Sequence, residues 1–216
     1  MERDAHLGFF LRRERALATL GARLLARRLG RLRRVDLVYE HHGLRRGWLA
    51  DWPAHLDPAR MGHGAFGDLA GHLIDLCHMT VGPLRPVRCE LRRAPDVAAD
   101  SGGSASLRTA GGATVRLRCG ADAPGVRLEL RFEGDAGTLL LRDGTLTETL
   151  AGRARTLARE VRPTPRDGFL AALATLRGST GVRRGASLDE AIAVNRTLDA
   201  LRAIGEDVPP CRRSSR

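Results

Sequence analysis

Lysine is absent from this chain: all 36 of its basic residues are arginine. Arginine stays protonated under ordinary conditions, so none of these side chains can exchange a proton near neutrality. Cysteine is scarce too. The four, at 77, 89, 119 and 211, are scattered with no Cys-x-x-Cys pair, which excludes a zinc framework and a disulfide scaffold. Aromatic residues make up only 4%, with two tryptophans and one tyrosine, too few for a base-stacking surface. No apolar run approaches bilayer length, and the charged N-terminus has no signal-peptide core. These absences predict a cytoplasmic protein with no membrane partner.

The formal charge of +11 raises the question of nucleic acid. Its densest patch places Arg23, Arg27, Arg28, Arg31, Arg33 and Arg34 around a leucine stripe, and a basic amphipathic helix can sit on phosphate or anionic lipid. Arginine recurs along the whole chain, however, and only Phe9 and Phe10 lie near that patch. A solvated basic helix face is the expectation, with no nucleic-acid partner.

What is present describes one good-sized domain of 216 residues with a real core. Leu17, Leu20, Leu24 and Leu25 recur at helical spacing, and Val35 to Tyr39 reads as a strand. Phe66, Leu69, Leu73, Ile74 and Leu76 mark a second helix, ended by Val81-Gly82-Pro83. A strand from Val87 to Leu91 and a polar loop from Asp96 to Ser104 follow. Strands are then expected over Ala105–Thr109, Ala113–Arg118, Val126–Phe132, Thr138–Arg142 and Thr145–Leu150. Val115, Leu117 and Cys119 alternate with Arg116 and Arg118, and Leu128, Leu130 and Phe132 with Arg127, Glu129 and Arg131; one face packs and the other is wet or docked. Gly111-Gly112, Ala123-Pro124-Gly125 and Asp143-Gly144 supply the turns. Asp167 caps a helix to Leu176, and Ser187 with Glu190 forms a capping box for another to Ile204. The fold class is α+β: a large, mainly antiparallel open sheet, a meander with helices on one face.

Gly62 to Leu76, GHGAFGDLAGHLIDL, is the most informative stretch. Gly62, Gly64 and Gly67 have the G-x-G-x-x-G spacing of a dinucleotide-binding turn, which works only when a buried strand runs into it. The lead-in from Asp51 to Met61 carries Pro53 and Pro58 and no β-branched run, so no central strand precedes it. The stretch reads instead as a loop opening a helix. At about 100° per residue, Asp68, His72 and Asp75 fall within roughly 60° of one another. A carboxylate one turn from an imidazole can orient it for acid/base chemistry; a polar stripe that pairs internally or faces water has the same spacing. His78 lies about 120° from His72 around the helix, so His63, His72 and His78 do not make a metal set. His41 and His42, at the end of the first strand, read as a surface loop or as neighbours of the site.

This run resembles the motif that opens the C-terminal domain of the Gfo/Idh/MocA oxidoreductases, the glucose–fructose oxidoreductase and inositol dehydrogenase family. The family form is a glycine triplet, a few apolar residues, Asp, three residues, His, and an Ile-Asp-Leu-like continuation. The resemblance implies that Asp68 and His72 are catalytic and that Trp52, His63 and Asp75 bind substrate. Gly62-His63-Gly64 departs from the triplet. His6 to Arg12 (HLGFFLR) is similar to the last strand of the family's nucleotide-binding domain. Glu133 to Leu140, Asp167 to Leu170 and Ser187 to Ile192 resemble its hairpin and closing helices. The implied layout is a strand–helix remnant of a Rossmann domain over 1–34, the C-terminal domain over 35–208, and a disordered tail over 209–216.

The family uses NAD or NADP and acts on sugars or polyols, with a Glu-Lys-Pro lysine as proton shuttle. The lysine-free chain has no counterpart of that motif. A truncated product, or a subunit working beside a separate nucleotide-binding partner, is therefore expected, inactive and unable to bind nucleotide alone. Homodimerisation through the strand face bearing Arg116, Arg118, Arg127, Glu129 and Arg131 is implied as well. The alternative is a non-catalytic assembly protein that uses the same face.

Overall fold

Alternation of apolar and charged residues builds the sheet, and register turns it into a core. In β1 (Leu32–Glu40), Val35 and Leu37 are fully buried while Arg33 and Arg34 are exposed. Leu37 stands opposite Leu117 of β4 (Thr114–Gly120) on one side and Leu130 of β5 (Arg127–Gly134) on the other. The row continues through Leu141 of β6 (Gly137–Arg142) to Leu146 of β7 (Thr145–Leu150). In the other direction it runs through Ala105 of β3 (Asp100–Thr109) to Cys89 of β2 (Leu84–Arg93). One line of buried side chains thus crosses seven strands on a single face. Each fully buried leucine there contributes about 1.5–3 kcal/mol of transfer free energy.

The computed structural model describes residues 9–47, 57, 59, 62–94, 98–159 and 186–208. Besides the strands above, these include β8 (Arg153–Arg159), β9 (Gly205–Val208), a 3₁₀ turn at Phe10–Arg13, and helices α1 (Arg15–Leu25), α2 (Ala65–Val81) and α3 (Leu188–Ala203). The nine strands form one sheet in the order β8-β7-β6-β5-β1-β4-β3-β2-β9. Pairing is antiparallel except for β1 with β4 and β2 with β9. No helix among the described residues is long and apolar enough to cross a membrane.

The α+β class and the mainly antiparallel open sheet agree with expectation; several details do not. The strands are not a simple meander, because β1 lies between β4 and β5 and runs parallel to β4. Residues 100–104, expected in a loop, begin β3: Gly103 lets that strand lie close to β2, since a Cβ there would overlap the Glu90 carbonyl. Phe10 to Arg12, expected at the end of a strand, fall in the 3₁₀ turn Phe10–Arg13. Strands β8 and β9 are additions. The expected helix at 167–176 and the tail from 209 lie outside the described residues, as does the chain before Phe9.

The helices cover the sheet face that carries the leucine row. α2 lies over β1, β3 and β4, α1 over β7 and β8, and α3 beside α2 over β2. α2 is buried around most of its circumference, from Phe66 and Leu69 through Leu73, Ile74 and Cys77, as a helix apolar on most sides must be. The segment before α1 crosses it as well. Arg12, 5% exposed, reaches Asp75, 1% exposed, through Nε at 2.7 Å and Nη2 at 2.5 Å. Its Nη1 donates to Glu190 Oε2 at 3.1 Å. That same oxygen accepts the Ser187 backbone N–H at 2.8 Å, one half of a complete capping box at the start of α3. One guanidinium therefore joins the N-terminal segment, α2 and α3.

Removing one partner of a buried pair strands the other charge, so Asp75→Asn should lose about 3–5 kcal/mol of stability in urea unfolding. Ser187→Ala should lose about 1 kcal/mol, because the Glu190 N–H at N3 then has no capping oxygen.

Candidate active site

The glycine spacing has a structural cause that involves no nucleotide. Gly62 turns the chain at φ +71°. Gly64 gives way to the Asp100 carboxylate of β3, whose Oδ1 accepts the Phe66 N–H at 2.6 Å. A side chain on Gly64 would overlap that carboxylate, and one on Gly67 would overlap His63. Burial raises the Asp100 carboxyl above its ordinary value, against bonds from Phe66 and Gly64 that favour its ionised form. The N-terminus of α2 is thus closed by a carboxylate, where a dinucleotide turn would present N–H groups to pyrophosphate. Arg202 of α3 also donates to the Gly62 carbonyl. The residues of this turn do not fit a dinucleotide.

Farther along α2, Asp68 is exposed and His72 half-buried. The His72 imidazole stands between two aromatic edges, Phe9 at 5.7 Å between centroids and Tyr39 at 6.4 Å, with interplanar angles of 86° and 63°. Burial lowers the His72 pKa below its ordinary value, against the opposing charges of Asp68 and Asp75. The ring is therefore neutral at pH 7 and able to accept a proton. Asp68 and His72, expected together, are one turn apart on α2.

Tyr39 belongs to the same neighbourhood, although strand reasoning alone gave it no role. It follows Val35 and Leu37 on the inward parity of β1, and its phenol is pushed up to about 12 by burial and by the charges of Asp68 and Glu14. Its ring lies 6.4 Å from that of His41. His41 Nδ1 accepts the Gly43 N–H at 2.9 Å, and burial lowers the His41 pKa despite Asp68. The strand end is held by two further bonds, His41 N–H to the Gly120 carbonyl at 2.9 Å and Ala123 N–H to the His41 carbonyl at 3.0 Å. Beneath it, Arg92 grips Asp122 at 2.7 Å, and the Ser101 hydroxyl donates to the same carboxylate at 3.2 Å.

Two expected substrate residues lie elsewhere. Asp75 shares the angular sector of His72, yet both its oxygens are committed to Arg12 beneath the N-terminal segment. His63 stands against Gly67, 3.8 Å from Asp199 of α3, and lines a cavity of about 90 Å³ with Asp100 and Arg202. Trp52 lies outside the described residues. The open sheet face, expected to meet a second copy, carries charges that are paired within the chain. Arg127 and Arg142 hold Glu129 at 2.8 and 2.9 Å, Arg131 holds Glu133 at 2.5 Å, and Arg118 holds Glu40 at 3.1 Å.

Two titrations follow from this geometry. His41, His72 and His78 all titrate below the ordinary 6.5 because of burial. The unfolded chain takes up those protons first, so stability is full above pH 6.5 and falls as the pH drops below it; urea midpoints at pH 7 and pH 5 check this. The single tyrosine should ionise near 12 in near-ultraviolet absorbance, in place of the ordinary 10.0. Its contribution to stability is present below pH 10 and lost as the pH rises.

Comparison with known proteins places the fold. An oxidoreductase domain protein from Kribbella flavida matches with a TM-score of 0.74 at 20% identity, over 91% of this chain and 62% of that one. An inositol dehydrogenase homolog from Azotobacter vinelandii, complexed with NAD+, matches at 0.71 and 17%, over 94% and 64%. A levoglucosan dehydrogenase, in complex with NADH and levoglucosan, matches at 0.68 and 17%, over 92% and 64%. The chain spans 62–64% of the length of these structures, and at such identities the likeness is one of fold. No curated protein sequence matches it. The family model for the GFO/IDH/MocA C-terminal domain matches residues 17–140, more than half of the chain, and the chain therefore belongs to the GFO/IDH/MocA family through its C-terminal domain.

Proposed function

We propose that this chain is the substrate-binding and oligomerisation portion of an NAD(P)-dependent oxidoreductase acting on a sugar or polyol, with its site at Asp68 and His72. One observation carries the reading: a neutral imidazole held between two aromatic edges, one turn from a solvent-facing carboxylate. His72 accepts the proton of a substrate hydroxyl, and Asp68 binds a neighbouring hydroxyl and favours the imidazolium that forms. Proton transfer of this kind contributes about 10²–10⁴-fold to rate. The bound nicotinamide supplies the hydride acceptor, held by a nucleotide-binding unit other than the residues described. The one-layer sheet leaves its charged face for a second copy. The neighbours' names, inositol dehydrogenase homolog and levoglucosan dehydrogenase, support the substrate class.

Histidine-labelled protein titrated with inositol or levoglucosan tests the site. The His72 carbon resonance, identified by its disappearance in His72→Ala, should move saturably. A flat response to both compounds at high concentration would remove this reading. Calorimetry should show no micromolar binding of NAD(H) or NADP(H) by this chain, because Asp100 fills the glycine turn. Complemented with a matching nucleotide-binding unit, the wild type should turn over about 10²–10⁴-fold faster than His72→Ala. Light scattering at moderate salt should report a dimer or larger assembly.

A further inference from the structure

The Arg12 N–H donates to the Phe9 carbonyl at 3.1 Å and closes a 3₁₀ turn, which sets residues three apart on one side. His72 and Asp75 are also three residues apart, about one turn of α2. The two spacings meet rung for rung. Arg12 grips Asp75 through Nε and Nη2, and Phe9 stands against His72 with ring centroids 5.7 Å apart. The Arg12 guanidinium also lies 6.0 Å from the centroid of the Phe9 ring. Gly71 keeps α2 low beneath that ring: even a Cβ there would lie 4.0 Å from Phe9 Cε1.

We propose that Phe9 is a positioning residue for the candidate reaction: its ring covers one side of the His72 imidazole, keeps water off it, and so preserves it as a base. This rests on the Asp68–His72 site assigned above.

The charges around the imidazole make such a cover necessary. On α2, Asp68 and Asp75 both favour the imidazolium. The N-terminal segment adds Arg12, which Asp75 engages, and Glu14; the end of β1 adds Tyr39 and His41. Burial works in the other direction and outweighs both carboxylates. An imidazole that accepts a proton from a hydroxyl must be without one beforehand, so the state depends on whatever keeps water from the ring. Of its aromatic neighbours, Tyr39 belongs to the sheet, whereas Phe9 is held beside a buried charge pair outside the site.

Carbon-13 at histidine Cε1 in the full chain follows each imidazole across pH. Wild-type His72, identified by its loss in His72→Ala, should titrate below 6.5. In Phe9→Ala the carboxylates prevail, and its midpoint should rise to 6.5 or above. Phe9→Leu keeps a smaller apolar cover and should raise it part of the way. His78 is the control: burial lowers its pKa too, but its ring meets Thr197 of α3 at 3.4 Å. Its midpoint should stay in place in both variants, whereas a general loosening of the fold would move both lines. Inositol is then added to each protein at pH 7. An unmoved His72 midpoint in Phe9→Ala, or a shift that His78 shares equally, overturns the proposal, and the site stands if inositol still moves His72 saturably. If inositol moves it in no protein, wild type included, the site reading falls and takes the proposal with it. Should Phe9→Ala fail to fold, Phe9→Leu decides by the same comparison.

Discussion

A single guanidinium sets the geometry on which the candidate site depends. Arg12 is sealed under the N-terminal segment, with Asp75 of α2 and Glu190 of α3 as partners. Desolvating such charges costs several kcal/mol per ion, and only close, multiply bonded geometry offsets it. Here both Asp75 oxygens are engaged, and Glu190 also serves the capping box of α3. The pair holds the 3₁₀ turn across α2, with the Arg12 guanidinium 6.0 Å from the centroid of the Phe9 ring. Phe9 in turn meets the edge of His72. The buried charge is thus two contacts away from the imidazole, whose pKa burial lowers.

Much of the fold was legible where periodicity and capping chemistry are strong. Val35 and Leu37, Val115 and Leu117, and Leu130 and Phe132 alternate with charge, and each pair faces the core. Ser187 and Glu190 announce α3 by a reciprocal bond that local sequence alone specifies. Legibility fails where a neighbour decides. The Gly-Ser stretch that begins β3 has the composition of a loop; it is a strand because β2 admits only small residues there. Strand β8, with four consecutive exposed residues in Arg153–Thr156, has no alternation to read. At the site, angular position put Asp68, His72 and Asp75 on one stripe. Angle does not reveal what lies above a helix, and Arg12 lies above Asp75. Tyr39 carried a faint signal, as the lone tyrosine on the inward parity of its strand.

The glycine turn shows how one spacing serves two unlike ends. In a dinucleotide turn, glycines let backbone N–H groups approach phosphate. Here Gly64 lets a carboxylate from β3 approach the same kind of helix terminus. Both satisfy the unpaired N–H groups and the positive end of the helix dipole with negative charge. The difference is covalent: the anion belongs to the chain. It anchors the start of α2 to the sheet and so fixes the axial position of Asp68 and His72, one and two turns farther along.

Topology explains why the candidate site gathers at the end of β1. That strand has a parallel neighbour in β4 and an antiparallel one in β5. The chain leaving β4 must therefore pass over the C-terminal end of β1 before it can return as β5. This crossing, from Ala121 onward, bonds to His41 and Leu44 and is tied down through Asp122 to Arg92. A simple meander would connect neighbouring strands by tight hairpins and leave no such wall. Inserting β1 between β4 and β5 brings strand end, crossing loop and the α2 stripe to one place, where the charge of Asp68 acts on Tyr39, His41 and His72. The opposite face of the sheet has no such convergence. Its charges are exposed and paired along and across strands, each pair worth little. That face can change its surroundings at small cost, whereas the end of β1 cannot.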